Sequence, residues 1–219
     1  MIEDMSAGTG AAVELYRDAL QRIDLWFEAA RQDPPGLIPC RAGCDHCCHG
    51  PFDVSAADAV LLLDGVARLD PIPREAVRKR ADALMRRIGA LAPDWTPPWD
   101  IRQLGEERFD EVAEALAGEP CPLLDEAGAC RVYQSRPLVC RLIGLGMMTP
   151  AGREIENCCP IRSSFPEYAA MPNRPFDLER WEMEEAACLE AAGDALLGTP
   201  LAADYETTIA ALLSANPQP

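Results

Sequence analysis

The sequence predicts a mainly α fold: an irregular helical domain with one or two short β-hairpins around a cysteine-ligated metal site. Three observations predict it. Apolar residues recur at helical spacing through most of the chain. Short apolar runs broken by turn signals, the mark of small hairpins, are found after residue 120. Nine of the 10 cysteines in 219 residues gather in three connections: Cys40–Cys48, Cys121–Cys140 and Cys158–Cys159. Sulfur confined to connections implies that the connections meet at a shared site.

Val13, Tyr16, Leu20, Ile23, Phe27 and Ala30 mark the buried face of a first helix, which Pro34-Pro35-Gly36 stops. The first cysteine loop, C-R-A-G-C-D-H-C-C, follows. Ser55-Ala-Ala-Asp58 then reads as a capping box for a helix running to about Leu69. Cysteines just ahead of a helix start lie near the positive end of its dipole, which favours thiolate over thiol. Pro73 suits the first residue of a third helix, with Val77, Ala81, Leu84, Ile88 and Leu91 buried. Its other face carries Arg74, Arg78, Lys79, Arg80, Arg86 and Arg87, a strip expected to be solvated or to pair with acidic neighbours. Pro93, Pro97 and Pro98 interrupt the next stretch, and Trp95 and Trp99 are expected to fold it back on the core. A short helix then buries Phe109, Val112, Ala113 and Leu116 and closes at Gly118.

Between Cys121 and Tyr133, Asp125-Glu-Ala-Gly128 separates two apolar runs, so a small hairpin is expected to bring Cys121 towards Cys130. Ser135-Arg136-Pro137 opens another helix, with Cys140 near its start and Arg136 and Arg141 beside it. Gly144 and Gly146 end that helix. Met147–Asn157 predicts a second hairpin, which delivers Cys158 and Cys159. Residues 165–176 read as irregular. A long acidic helix starts near Asp177, with Leu178, Trp181, Cys188, Leu189, Ala192 and Leu196 on its buried side, and a last helix turns Tyr205, Ile209, Leu212 and Leu213 inward. The expected organisation is one domain over 1–219, with a cysteine-cluster core at 37–160 and helical extensions at 9–33 and 177–214.

A formal net charge of −16 argues against a nucleic-acid backbone or an anionic membrane as partner, and leaves metal ions and a protein partner open. The first residues lack the basic start and apolar run of a signal peptide, and no apolar stretch approaches the ~20 residues of a membrane span. A cytoplasmic location is the expectation. Thiols stay reduced there, so metal or redox chemistry is favoured over a disulfide framework.

Cys44-x2-Cys47 can hold one ion from one turn; the stronger signal is the sum of the three regions. Neighbours in an extended backbone point to opposite faces. The pairs Cys47-Cys48 and Cys158-Cys159 therefore imply more than one ion, a cluster, or a ligand beside a packing cysteine. Candidate ligands are Cys40, Cys44, Cys47, Cys48, Cys121, Cys130, Cys140, Cys158 and Cys159. Roughly four to eight of them would bind. Cys188, in a helix, is expected to be a packing residue. Thiolate sets suit zinc, iron–sulfur clusters or Cu(I) rather than Mg or Ca. The Cys121-x8-Cys130-x9-Cys140 spacing is not that of zinc knuckles, and arginines beside ligands suit an anionic cluster. His46 and His49 remain open as ligands, hydrogen-bond donors or solvent-facing side chains. Cys40-x3-Cys44-x2-Cys47 also has the spacing of radical S-adenosylmethionine enzymes, but the strand–helix alternation of their barrel is missing.

With these residues laid out, the chain resembles the YkgJ-like cysteine-cluster family of zinc- or iron-chelating domains. The resemblance rests on C-R-A-G-C-D-H-C-C with its helix start at Ser55-x-x-Asp58, and on C-P-L-L-D-E-A-G-A-C-R-V-Y-Q-S-R-P-L-V-C-R from Cys121 to Arg141. It implies that Cys40, Cys44, Cys47, Cys48, Cys121, Cys130 and Cys140 are cluster cysteines, joined by Cys158 or Cys159. Bacterial flagellin lysine methylases look similar in their cysteine-rich part, but no glycine-rich S-adenosylmethionine loop follows a strand here. The expected function is a cysteine-rich metal-binding protein holding zinc or iron, with an iron–sulfur cluster as one form. A metal-dependent redox or protein-modifying enzyme and a zinc-stabilised interaction module are the alternatives.

Overall fold

Apolar faces drawn from the helical spacing find one another across the molecule, and they carry the cysteine segments with them. The computed structural model describes residues 2–41, 43–192 and 205–214, with side chains over 14–41, 43–188 and 205–214. The chain is mainly α. Helix α1 (Ile2–Arg31) buries Tyr16, Ala19, Leu20, Ile23 and Ala30, which share one helical face. Its partner is α7 (Leu178–Ala192), where the Trp181 ring lies 5.8 Å from that of Tyr16 and buried Cys188 packs as expected. Asp177 caps α7 by accepting from the Arg180 N–H. The side chains of Val13, Leu189 and Ala192, and all of Leu196, lie outside the described residues.

Strand β1 (Asp53–Ser55) leads into α2 (Ala56–Ala67), and Ser55 Oγ accepts from the Asp58 N–H, as in a capping box. The reciprocal half is missing. The Asp58 carboxylate turns away to the Tyr16 hydroxyl, 2.9 Å, and the Leu138 N–H, 3.0 Å. β1 pairs antiparallel with β5 (Glu206–Thr208), Val54 opposite Thr207, and β5 runs into α8 (Ile209–Ser214). The sequence pattern missed this pairing, because three-residue strands carry too little alternation to read.

Helix α3 (Pro71–Leu91) starts two residues before the expected Pro73, since a proline's missing N–H is tolerated anywhere in a first turn. Val77, Ala81, Leu84 and Ile88 are buried; Leu91, expected inside, is 36 % exposed at the frayed end. The basic strip is largely engaged. Arg78 and Lys79 pair with Glu75, Arg87 with Glu119, and Arg80 Nε donates to the Pro122 carbonyl. Trp95 folds back as expected, its indole bonded to the Asp100 carbonyl and its ring edge-on to Trp99 at 5.4 Å. It joins α3, α4 (Glu106–Ala115) and α8 in one apolar cluster, with Val112 and Leu116 buried and Phe109 partly so.

One expected hairpin is present: β2 (Met147–Met148) and β3 (Glu154–Ile155) pair antiparallel. The other shrinks to a single bridge, Leu124 opposite Cys130. There the Asp125 carboxylate accepts from the Ala127 and Ala129 N–H groups, 2.9 and 2.8 Å, curling the chain before a ladder can extend. The stretch expected to be irregular contains α6 (Pro166–Ala169) and β4 (Arg174–Pro175), which adds to β2 in parallel. Among the described residues, no helix is long and apolar enough to cross a membrane.

Candidate metal centre

The first cysteine loop is shaped by two tight turns, in which the Cys44 N–H donates to the Arg41 carbonyl (3.0 Å) and the Cys48 N–H to that of Asp45 (2.7 Å). The segment leading into the second region is paired to it by backbone. Cys121 N–H donates to the Cys48 carbonyl at 2.9 Å, Gly50 N–H to that of Glu119 at 2.7 Å, and His49 bridges Pro120 between them. Residues some 70 apart in sequence are thereby held side by side. Helix α5 (Leu138–Leu142) carries Cys140, and Leu138 and Leu142 pack it in the α1–α2–α7 cluster, while Asp58 accepts the N–H at its start. Past α5 the backbone turns at Gly144, φ +113°, where an added Cβ would lie 3.1 Å from Cys40 Sγ and 3.3 Å from Phe27 Cζ. A side chain there would meet both an unfavourable conformation and the sulfur.

Together these constraints place Cys40, Cys44, Cys47, Cys48, Cys121, Cys130 and Cys140 on the wall of one cavity of about 900 Å³. Phe27, Arg31, Arg41, Arg68 and Arg136 line other parts of it. His46 is exposed and His49 half-buried, and neither is on that wall. The last cysteine pair splits. Cys158 is exposed, its thiol 3.5 Å from the Glu156 carbonyl, while Cys159 packs beside Cys40, Ala30, Ile38 and Tyr168. Among the described residues, no three His, Cys, Asp or Glu side chains stand where they could hold one metal ion as they now point.

Burial sets the titration of these sulfurs. It pushes Cys121 and Cys40 up to about 12, and for Cys40 the neighbouring Cys159, Cys44 and Cys47 add to the rise. Cys140 is raised well above the thiol range, by burial first and then by Cys121 and Asp58. Within the vicinal pair the sulfurs share a proton: the bond lowers Cys47 to about 7 and raises Cys48. The expected thiolate at Cys140 is therefore not what the fold favours. Arg136 and Arg141 turn instead to Asp24 of α1, with Arg136 also stacked 4.1 Å over Tyr133, and a five-residue helix has little dipole to offer. Without a cation the raised thiols stay protonated, and a bound cation is what reverses the preference. The donor set fits zinc or iron in chemistry: all sulfur, crowded, and apart from the two histidines.

Sequence reasoning missed Asp58 and Gly144 as parts of this arrangement. Asp58 was visible as a cap residue and Gly144 as a helix stop, but their contacts are made across the fold. A family model, CxxCxxCC, described as "Putative zinc- or iron-chelating domain", matches residues 39–160. The first interval of this chain, Cys40-x3-Cys44, is one residue longer than the spacing in that name. No curated protein and no solved structure matches the chain.

Proposed function

The chain belongs to this family of zinc- or iron-chelating domains, and from that premise we propose that it binds zinc or iron through Cys40, Cys44, Cys47, Cys48, Cys121, Cys130 and Cys140. One observation carries the reading: cysteines from separate segments, locked together by the Cys48–Cys121 backbone bond, line a single cavity. Structural zinc sites are filled by protein ligands and contribute to folding; iron in the same donors would add redox chemistry. The residues' own part is defined without either. The turns at Cys44 and Cys48 and the start of α5 deliver the thiols, the surrounding apolar clusters limit water, and each thiol that binds gives up its proton.

Anaerobic purification followed by elemental analysis and a visible spectrum tests this. A colourless protein with stoichiometric zinc, or a brown one with iron and sulfide, is expected. Reduced protein that carries neither metal, and takes up neither on addition, overturns it.

A further inference from the structure

We propose that the seven cavity thiols and Cys159 form two metal centres rather than one, with Cys40, Cys44, Cys47 and Cys159 at the first and Cys48, Cys121, Cys130 and Cys140 at the second. This rests on the metal-binding reading above, divides its ligands and adds Cys159 to them.

The apolar packing already separates the two sets. Cys48, Cys121 and Cys130 belong to a cluster with Val54, Leu123 and Val132, whereas Cys40 and Cys159 belong to a different one with Ala30, Ile38, Leu145 and Tyr168. Backbone geometry fixes Cys48 to the second set through the Cys121 N–H, and Cys47, whose sulfur is hydrogen-bonded to that of Cys48, stands between the two sets. On the other side, Cys159 is held towards Cys40 by a short relay. Asn157 Oδ1 accepts the Cys159 N–H, Asn157 Nδ2 donates to the Gly144 carbonyl at 3.1 Å, and the Tyr168 hydroxyl donates to that carbonyl at 2.5 Å. Gly144 is also the residue against which Cys40 Sγ lies.

Four thiolates complete the coordination of one zinc ion or the corners of one iron–sulfur cluster. A single centre would leave the other buried thiols crowded around the cavity without a cation. The division also accounts for both vicinal pairs. Cys47-Cys48 straddles the two centres, and Cys158-Cys159 sends one thiol inward and the other to solvent.

The test is an anaerobic titration of the reduced, metal-free full chain with Co²⁺, following the sulfur-to-cobalt charge-transfer absorbance. The expected rise is linear to two equivalents. The double variants C44A/C159A and C121A/C130A should each stop at one. An end point of one equivalent in the parent chain overturns the two-centre inference and leaves the metal-binding reading standing; no charge-transfer band overturns both. Should the double variants fail to fold, alkylation of the parent by iodoacetamide decides the role of Cys159. Zinc loading should protect Cys159 and leave Cys158 reactive, and an equally reactive Cys159 with and without zinc overturns its assignment.

Discussion

Around Trp95, helices α3, α4 and α8 bury Leu84, Ile88, Ile101, Val112 and Leu116 with no cysteine among them; around the cavity, short turns and a five-residue helix hold seven thiols. The two regions are adjacent but rest on different physics. The first closes by apolar area alone, at roughly 25 cal/mol per Å² removed from water. The second has clusters of its own, yet its wall is made of connections whose thiols gain a stabilising partner when a cation binds. The comparison teaches that this chain keeps its cysteines on the segments least able to hold themselves.

Removing the metal should separate the two regions most sharply. Chelation of the reduced, loaded protein is expected to lower the melting temperature strongly, since structural zinc binding of about 10–16 kcal/mol in small domains is also folding energy. Hydrogen exchange should show the loss in residues 40–50 and 121–145, with α3 still protected. Uniform protection in both regions, before and after chelation, would break the distinction.

Trp95→Ala attacks the other side. It removes a buried ring from the α3–α4–α8 cluster and orphans the Asp100 carbonyl, so a loss of about 3–5 kcal/mol is expected in urea denaturation. Metal stoichiometry should not change. If it falls in protein that remains folded, the two regions are coupled more tightly than their packing indicates.

Asp58 lies where they meet the α1–α7 pair, facing Tyr16 from α1, Glu185 from α7, and the Leu138 N–H and Arg141 from α5. Burial raises its carboxyl to about 7. A folded value above the unfolded one, near 4, means that ionisation costs stability. For metal-free protein this contribution should be full below about pH 4, fall as pH rises through about 7, and then level off. Asp58→Asn keeps the acceptor for Leu138 and Tyr16 while removing the charge. It should flatten that slope, worth a few kcal/mol at most, and a parent whose stability is flat from pH 4 to 8 would contradict the account.

The smallest expected effect is that of Gly144→Ala. A methyl group at φ +113° and 3.1 Å from Cys40 Sγ should cost about 1–3 kcal/mol. Its signature is selective: metal affinity should drop because Cys40 is displaced, while the unfolding of α3 is unchanged. An affinity equal to the parent's would remove Gly144 from the site.

The sequence by itself determined the helices and the cysteine-rich segments that the family model matches. Tyr16, Leu20, Ile23, Val77, Ala81, Leu84 and Ile88 were legible because helical periodicity is local, and the cysteine segments because sulfur-rich turns have few other uses in a chain of this kind. The sequence could not show that β5 returns to β1, that Asp24 would take both arginines beside Cys140, or that Cys158 rather than Cys159 would face solvent. Nor could it place Asp58 under α5 or Gly144 against Cys40. Those are contacts between segments far apart in the chain, decided by which buried charges and N–H groups needed partners once the helices had packed. Local pattern chose where the cysteines cluster, and tertiary packing chose where each would stand.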